Sequence, residues 1–182
     1  MPISQERQSE RDSQRRQLLV RAARECFLQY GYAKTSLDDI AQSAGISRPL
    51  IYRKFKNKDA LHAAVLESFF EGRDAQVESA LAARGSKKEK LARVYELLLV
   101  EPWDERASAP MAHELDALSA TLHPELEAKR QRLLLKFTQA VLGAKELSEL
   151  FMLAASGLTS DRPATKILRR RMELLAGQFA DA

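Results

Sequence analysis

The densest chemistry in the chain lies at residues 48 to 54, Arg-Pro-Leu-Ile-Tyr-Arg-Lys. Read as a helix, this run places Ile51 and Phe55 four apart on one face, where they can anchor it. Arg48, Tyr52, Arg53 and Lys54 fall on other faces. Such a surface suits the major groove of double-stranded DNA. Arginine grips a guanine edge through two hydrogen bonds, lysine and tyrosine bond phosphates, and Leu50 is placed to touch a thymine methyl. An ordinary helical hairpin with a solvated basic face has the same pattern.

The segment before it is what must hold that helix. Ser36 can cap a short helix, with Asp39 three residues on, close to a capping box. Ile40, Ala41 and Ala44 form its inner face, and the small Ala41 allows a second helix to cross closely. Gly45 stands where the backbone needs a positive φ to turn. Ile46 plugs the gap, Ser47 caps the second helix, and Pro49 sits in its first turn, where a missing N–H costs nothing. Upstream, Lys34, Thr35 and Ser36 adjoin the motif; Ser36 has a purely structural reading as the cap. Downstream, Asn57 caps the next helix, Asp59 suits its dipole, and Lys58 stands beside free N–H groups that can hold a phosphate.

Residues 15 to 62 resemble the N-terminal domain of the TetR family of bacterial transcriptional regulators. The matching blocks are Leu19-Val20-Arg21-Ala22-Ala23-Arg24-Glu25-Cys26-Phe27, Tyr30-Gly31-Tyr32, Thr35-Ser36, Asp39-Ile40-Ala41, Ala44-Gly45-Ile46-Ser47 and Ile51 through Leu61, in the family's order and spacing. Where the family often carries a small pair such as Gly-Thr, this chain has Pro49-Leu50, so the contacts of that threonine do not transfer. The resemblance implies an all-α fold: an N-terminal three-helix DNA-binding domain with a helix-turn-helix, followed by a helical ligand-binding and dimerisation domain. It implies phosphate contacts near Thr35 and Ser36. With the residues read above, the expected DNA-binding set is Lys34, Thr35, Ser36, Ser47, Arg48, Pro49, Leu50, Tyr52, Arg53, Lys54 and Lys58.

Charge agrees with that placement. The chain of 182 residues carries +4 overall, yet residues 1 to 60 hold 12 Lys and Arg against seven Asp and Glu, while the remainder is close to neutral. The single cysteine, Cys26, allows no intramolecular disulfide and reads as buried filler. The N-terminus is polar, and no apolar run reaches the ~18 residues a membrane span needs, so a cytoplasmic protein is expected. The division expected is a flexible polar arm at 1–13, the DNA-binding domain at 14–58 and the helical domain at 59–182. The arm carries Arg7 and Arg11, with Arg15 and Arg16 beyond, and could reach a minor groove or phosphates; a solvated tail is the plainer reading.

Helices are expected at 15–30, 58–83, 87–100, 111–121, 124–142, 144–158 and 164–179, with an irregular piece between Pro102 and Pro110. The helix from 58 would be the family's lever between domains. An apolar small-molecule effector would lie among Tyr95, Trp103, Met111, His113, Leu118, Phe137, Phe151 and Met152, all of which also read as plain core. Homodimerisation is expected through the last two helices, on Leu147, Leu150, Phe151, Ala154, Leu158, Leu168, Met172, Leu175 and Phe179. Scattered histidines give no metal site, and no phosphate loop or nucleophile motif points to an enzyme or a cofactor. Two functions stay open: a regulator, expected to be a repressor released from a palindromic operator by its effector, and a ligand-independent architectural DNA-binding protein of the same fold.

Overall fold

The computed structural model describes residues 3–180, with side chains from residue 7 onward; Met1, Pro2, Asp181 and Ala182 lie outside it. Among the described residues every regular element is helical: α1 (Ile3–Tyr30), α2 (Leu37–Ser43), α3 (Arg48–Lys54), α4 (Lys58–Ser68), α5 (Arg73–Ala82), α6 (Lys87–Tyr95), a π turn (Glu96–Val100), α7 (Glu101–Ala107), α8 (Ala112–Leu122), α9 (Pro124–Leu142), α10 (Lys145–Gly157) and α11 (Thr165–Ala180). No described helix is long and apolar enough to cross a membrane.

The chain forms two compact units. One comprises residues 1–69 together with 109–124, the other residues 70–108 together with 125–182. Compactness therefore divides the chain elsewhere than the expected boundary after residue 58, because α4 and α8 pack with α1. In the first unit Leu19, Ala23, Phe27, Ile40, Ile51, Leu61 and Val65 make the core. In the second, α11 packs on α6 and α7, burying Leu91, Leu97, Phe151, Leu168 and Met172.

Three expectations of secondary structure are corrected. First, the segment expected as a mobile arm is helical from Ile3 onward. It is rich in Gln, Glu and Arg, good helix formers, with neither Gly nor Pro after Pro2. Asp12 also pairs with Lys54 at 2.9 Å, and the Arg16 guanidinium lies 5.4 Å from the centre of the Phe55 ring. Second, the single lever expected from 58 to 83 is two helices. Gly72 takes φ +74 and separates α4 from α5. Third, residues 101–107 are helical, joined to α6 through the π turn.

The π turn has a chemical cause. The Glu101 N–H donates to the Glu96 carbonyl, five residues back. In the same register the Leu97 carbonyl would accept from residue 102, but proline has no N–H. Arg73, at the start of α5, supplies the missing donor: its Nη1 reaches the Leu97 carbonyl at 3.1 Å. Glu101 and Glu105 pair with the same guanidinium and hold it in place.

Candidate nucleic-acid interface

The helix-turn-helix is built from local chemistry. Ser36 and Asp39 form the full reciprocal box: the Asp39 N–H donates to Ser36 Oγ at 3.1 Å, and the Ser36 N–H donates to Asp39 Oδ2 at 2.9 Å. Hydrogen bonds from the Ser36 side chain and backbone hold the Asp39 carboxyl below the usual range. Gly45 turns the chain at φ +65, and the Ile46 N–H returns to the Ala41 carbonyl at 2.9 Å. Ile51 and Phe55 are buried and pin α3 down. Full burial of a side chain such as Ile51 contributes roughly 1.5–3 kcal/mol.

Pinned this way, α3 turns Arg48, Pro49, Tyr52 and Arg53 to solvent, with Leu50 half-buried. Ser47 occupies the cap position of α3, yet its side chain makes no capping bond. Its exposed hydroxyl is therefore open to a phosphate. Arg48 braces the two helices through Asp38 at 3.0 Å. Such an exposed pair contributes at most about 1 kcal/mol, so a phosphate can displace it. Lys34 is exposed, as is Lys56, a cation beside α3 that the sequence-based set omitted although its exposure follows from the loop position.

Four members of the expected set have structural duties. Thr35 is buried, and its hydroxyl donates to the Gly31 carbonyl at 2.7 Å. Ser36 is engaged as the cap. Lys54 is drawn to Asp12, whose carboxyl is held below its ordinary range chiefly by the hydrogen bond from Lys54. Lys58 donates to the carbonyls of Tyr32 at 2.8 Å and Thr35 at 3.0 Å, and lies 4.2 Å from the centre of the Tyr32 ring. It closes the turn between α1 and α2. Tyr32 in turn donates to Asp59, and burial followed by that bond pushes its phenol pKa up.

The segment 109–124 completes this unit. The Met111 N–H donates to the Leu28 carbonyl at 3.0 Å, and Glu114 Oε1 accepts from the Ala33 N–H at 3.2 Å. His123, just past α8, meets His62 of α4: Nε2 to Nδ1 is 3.1 Å, with the rings stacked at 5.2 Å. Both imidazoles are buried. Phe27 and Tyr32 stand edge-on to His62. Burial, then the neighbouring His123, lowers the His62 pKa to about 4, with Asp59 opposing. The unfolded chain binds this proton near pH 6.5, before the folded one does. The stabilisation is thus complete above pH 6.5 and fades as pH falls toward 4, by about 2 kcal/mol at pH 5. Urea titrations at pH 7.5 and 5 should show this loss in the native chain and a smaller one in His62→Phe; equal losses would remove His62 as the cause.

The expected effector residues are divided between the two units. Met111, His113 and Leu118 belong to the first unit, and His113 is exposed. Tyr95, Trp103, Phe137 and Phe151 belong to the second, where they are core, and Met152 packs against that core. Tyr95 shares a 2.9 Å hydrogen bond with Thr138 Oγ1 and packs edge-on against Phe151 at 4.9 Å. Trp103 Nε1 donates to the Pro163 carbonyl at 3.1 Å. Of the expected dimer residues, Phe151, Leu168 and Met172 are buried in the core of their own chain. Leu147, Leu158, Leu175 and Phe179 pack against that core, while Leu150 is exposed and Ala154 half-buried. The large apolar groups left in solvent on these helices are Leu150 and Leu153 of α10 with Ile167 and Leu174 of α11. Among the described residues, no group of three or more His, Cys, Asp or Glu could hold a metal.

A capped short helix, a glycine turn and a second helix that shows its basic side define a helix-turn-helix unit. Comparison with known proteins gives it a family. Residues 19–65 match the family model described as bacterial regulatory proteins, tetR family. Two relatives are named regulators of transcription. The chain is 37% identical over 81 residues to the transcriptional activator FasR of Mycolicibacterium smegmatis, covering 44% of this chain and 36% of that one. It is 30% identical over 115 residues to the regulator TtgR of Pseudomonas putida, covering 60% and 55%. The chain thus spans between about a third and just over half of the length of these curated relatives. SCO4454, a TetR-family regulator from Streptomyces coelicolor, shares the fold with a TM-score of 0.70 at 18% identity over 93% of this chain and 95% of that one. A TetR-like regulator from Rhodococcus sp. RHA1 gives 0.67 at 24% identity over 90% and 94%. The likeness to the TetR family thus covers the helix-turn-helix stretch at residues 19–65.

Proposed function

We propose that the chain is a homodimeric transcriptional regulator that binds a palindromic DNA operator through α3 and acts as a repressor. The carrying observation is the outward side of α3, where Arg48, Tyr52 and Arg53 are exposed while Ile51 and Phe55 fix the helix from behind. In this reading Arg53 reads a base edge, and Tyr52, Ser47, Lys34 and Lys56 bond phosphates. Named relatives work in both directions: FasR is an activator, and a relative from Mycobacterium tuberculosis is a transcriptional repressor. Release by a small apolar effector belongs to the same proposal. A ligand entering among Tyr95, Phe137 and Phe151 must displace packed aromatic groups, so its binding is coupled to repacking of that core. Dimerisation is assigned to the exposed apolar residues Leu150, Leu153, Ile167 and Leu174, because large apolar side chains on adjoining helices favour a covered surface.

The test is operator binding by fluorescence anisotropy, using DNA upstream of the protein's own gene against a scrambled competitor at two salt concentrations. Binding that resists the competitor supports a regulator; equal binding to both that collapses with salt supports the architectural reading. Arg53→Ala is expected to weaken the operator complex by about 1–3 kcal/mol and to relax specificity at one base pair. An equal loss on random DNA would reassign Arg53 to a phosphate. In the same samples, Leu153→Glu with Leu174→Glu should yield monomers by sedimentation, and a persisting dimer would move the interface elsewhere.

A further inference from the structure

The helical continuation of α1 toward the N-terminus carries a feature that the recognition helix does not account for. Arg7, Arg11 and Arg15 recur every four residues, so one arginine per turn falls on one flank, about 6 Å apart along the axis. All three are exposed. Glu10 and Asp12 fall roughly 100° to either side of Arg11, while Glu10 lies three residues from Arg7 and Asp12 three residues from Arg15. The arginine line presents three successive exposed cations along one flank, a pattern that suits a polyanion.

Its position is fixed by another face. Asp12 and Arg16, four apart, point to α3: Asp12 pairs with Lys54 at 2.9 Å and Arg16 lies over the Phe55 ring. One turn further on, Leu19 and Ala23 of the same face are fully buried. The arginine flank thus belongs to the same rigid body as α3. A solvated tail would not need the Asp12–Lys54 clasp.

We propose that the N-terminal part of α1 is a rigid rail for DNA phosphates, with Arg7, Arg11 and Arg15 gripping the backbone beside the site read by α3. This rests on the DNA-binding reading above and adds a second contact surface to it. The rail carries no sequence information, because its partners are phosphates. It lengthens the footprint and raises affinity for all duplexes alike.

The experiment compares three full-length proteins: the native chain, the Arg7→Gln/Arg11→Gln/Arg15→Gln triple variant, and Ser13→Pro. Glutamine keeps helix propensity, and Ser13→Pro keeps every arginine while breaking the helix within the rail, between Arg11 and Arg15. Thermal unfolding followed by circular dichroism confirms that each folds. The triple variant should lower the slope of log K against log salt by about 0.9 for each arginine engaged per half-site. It should shorten hydroxyl-radical protection at the flanks and leave the ratio of specific to random binding unchanged. Ser13→Pro should shorten the flank protection in the same way. Unchanged slope and footprint in the triple variant, with native binding intact, would overturn the rail. Full flank protection in Ser13→Pro would overturn its rigidity, and so the proposal as stated. A native chain that binds no duplex at all would instead remove the regulator reading, an outcome distinct from either.

Discussion

Replacing Arg73 by methionine should destabilise the second unit by about 2–4 kcal/mol, although the two side chains are similar in length. The reason lies in what the guanidinium leaves behind. The Leu97 carbonyl loses its donor at 3.1 Å, and Pro102 cannot replace it. A buried carbonyl without a partner costs on the order of 1–3 kcal/mol. Glu101 and Glu105 lose a shared cation, leaving two carboxylates one helical turn apart. Removing one partner from a buried pair costs about 3–5 kcal/mol, and the partial exposure of both glutamates brings that figure down. Guanidinium denaturation followed by Trp103 fluorescence would measure the change, since Trp103 is buried in the same unit. The triple change Arg73→Met, Glu101→Gln and Glu105→Gln should recover part of the loss. A single variant as stable as the native chain would mean that the π turn does not depend on Arg73.

Gly31→Val should cost the first unit about 2–4 kcal/mol. Gly31 ends α1 at φ +86, a region that costs an L-residue about 1–2 kcal/mol and a β-branched one more. Strain is only part of the effect. A Cβ at this position would lie 2.5 Å from Glu114 Oε2 and 2.9 Å from Met111 Cε. Both are ends of flexible side chains and can move. Moving them, however, breaks the bond from the Ala33 N–H to Glu114 and disturbs the contact of Met111 with the turn. Gly31→Ala should lose less, and Gly45→Val should lose only the strain, because nothing lies within 4 Å of a Cβ at Gly45. Thermal melts of the three variants order these contributions. If Gly31→Val and Gly45→Val melted together, the closeness of Glu114 and Met111 to the turn would carry no weight.

What could be read from the sequence was whatever is decided within a few residues. The Ser36–Asp39 box, the positive φ at Gly45 and the Ile51–Phe55 anchor all follow from spacing, and the structure has each of them. Long-range partners do not show in spacing. Lys54 and Lys58 look like phosphate ligands until Asp12 and the carbonyls of Tyr32 and Thr35 are seen beside them. His62 and His123 look scattered because 61 residues separate two rings that touch. In α11 periodicity revealed apolar residues on two sides without saying which faced inward. Leu168 and Met172 are buried within the chain, while Ile167 and Leu174 are exposed. The break at Gly72 was missed because a lone glycine in a helical pattern is often tolerated.

The joining of residues 109–124 to the first unit has a consequence for biosynthesis. Domains generally fold as units during translation, N-terminal ones first, as the chain emerges at about 5–20 residues per second. Here the first 69 residues leave the ribosome without the segment that packs against the α1–α2 turn and stacks on His62. Some forty residues of the other unit must be synthesised before that segment appears. For several seconds the nascent helix-turn-helix has its second helix, α3, but not its full support. Its completion is then timed by the arrival of His123 rather than by the end of its own contiguous stretch.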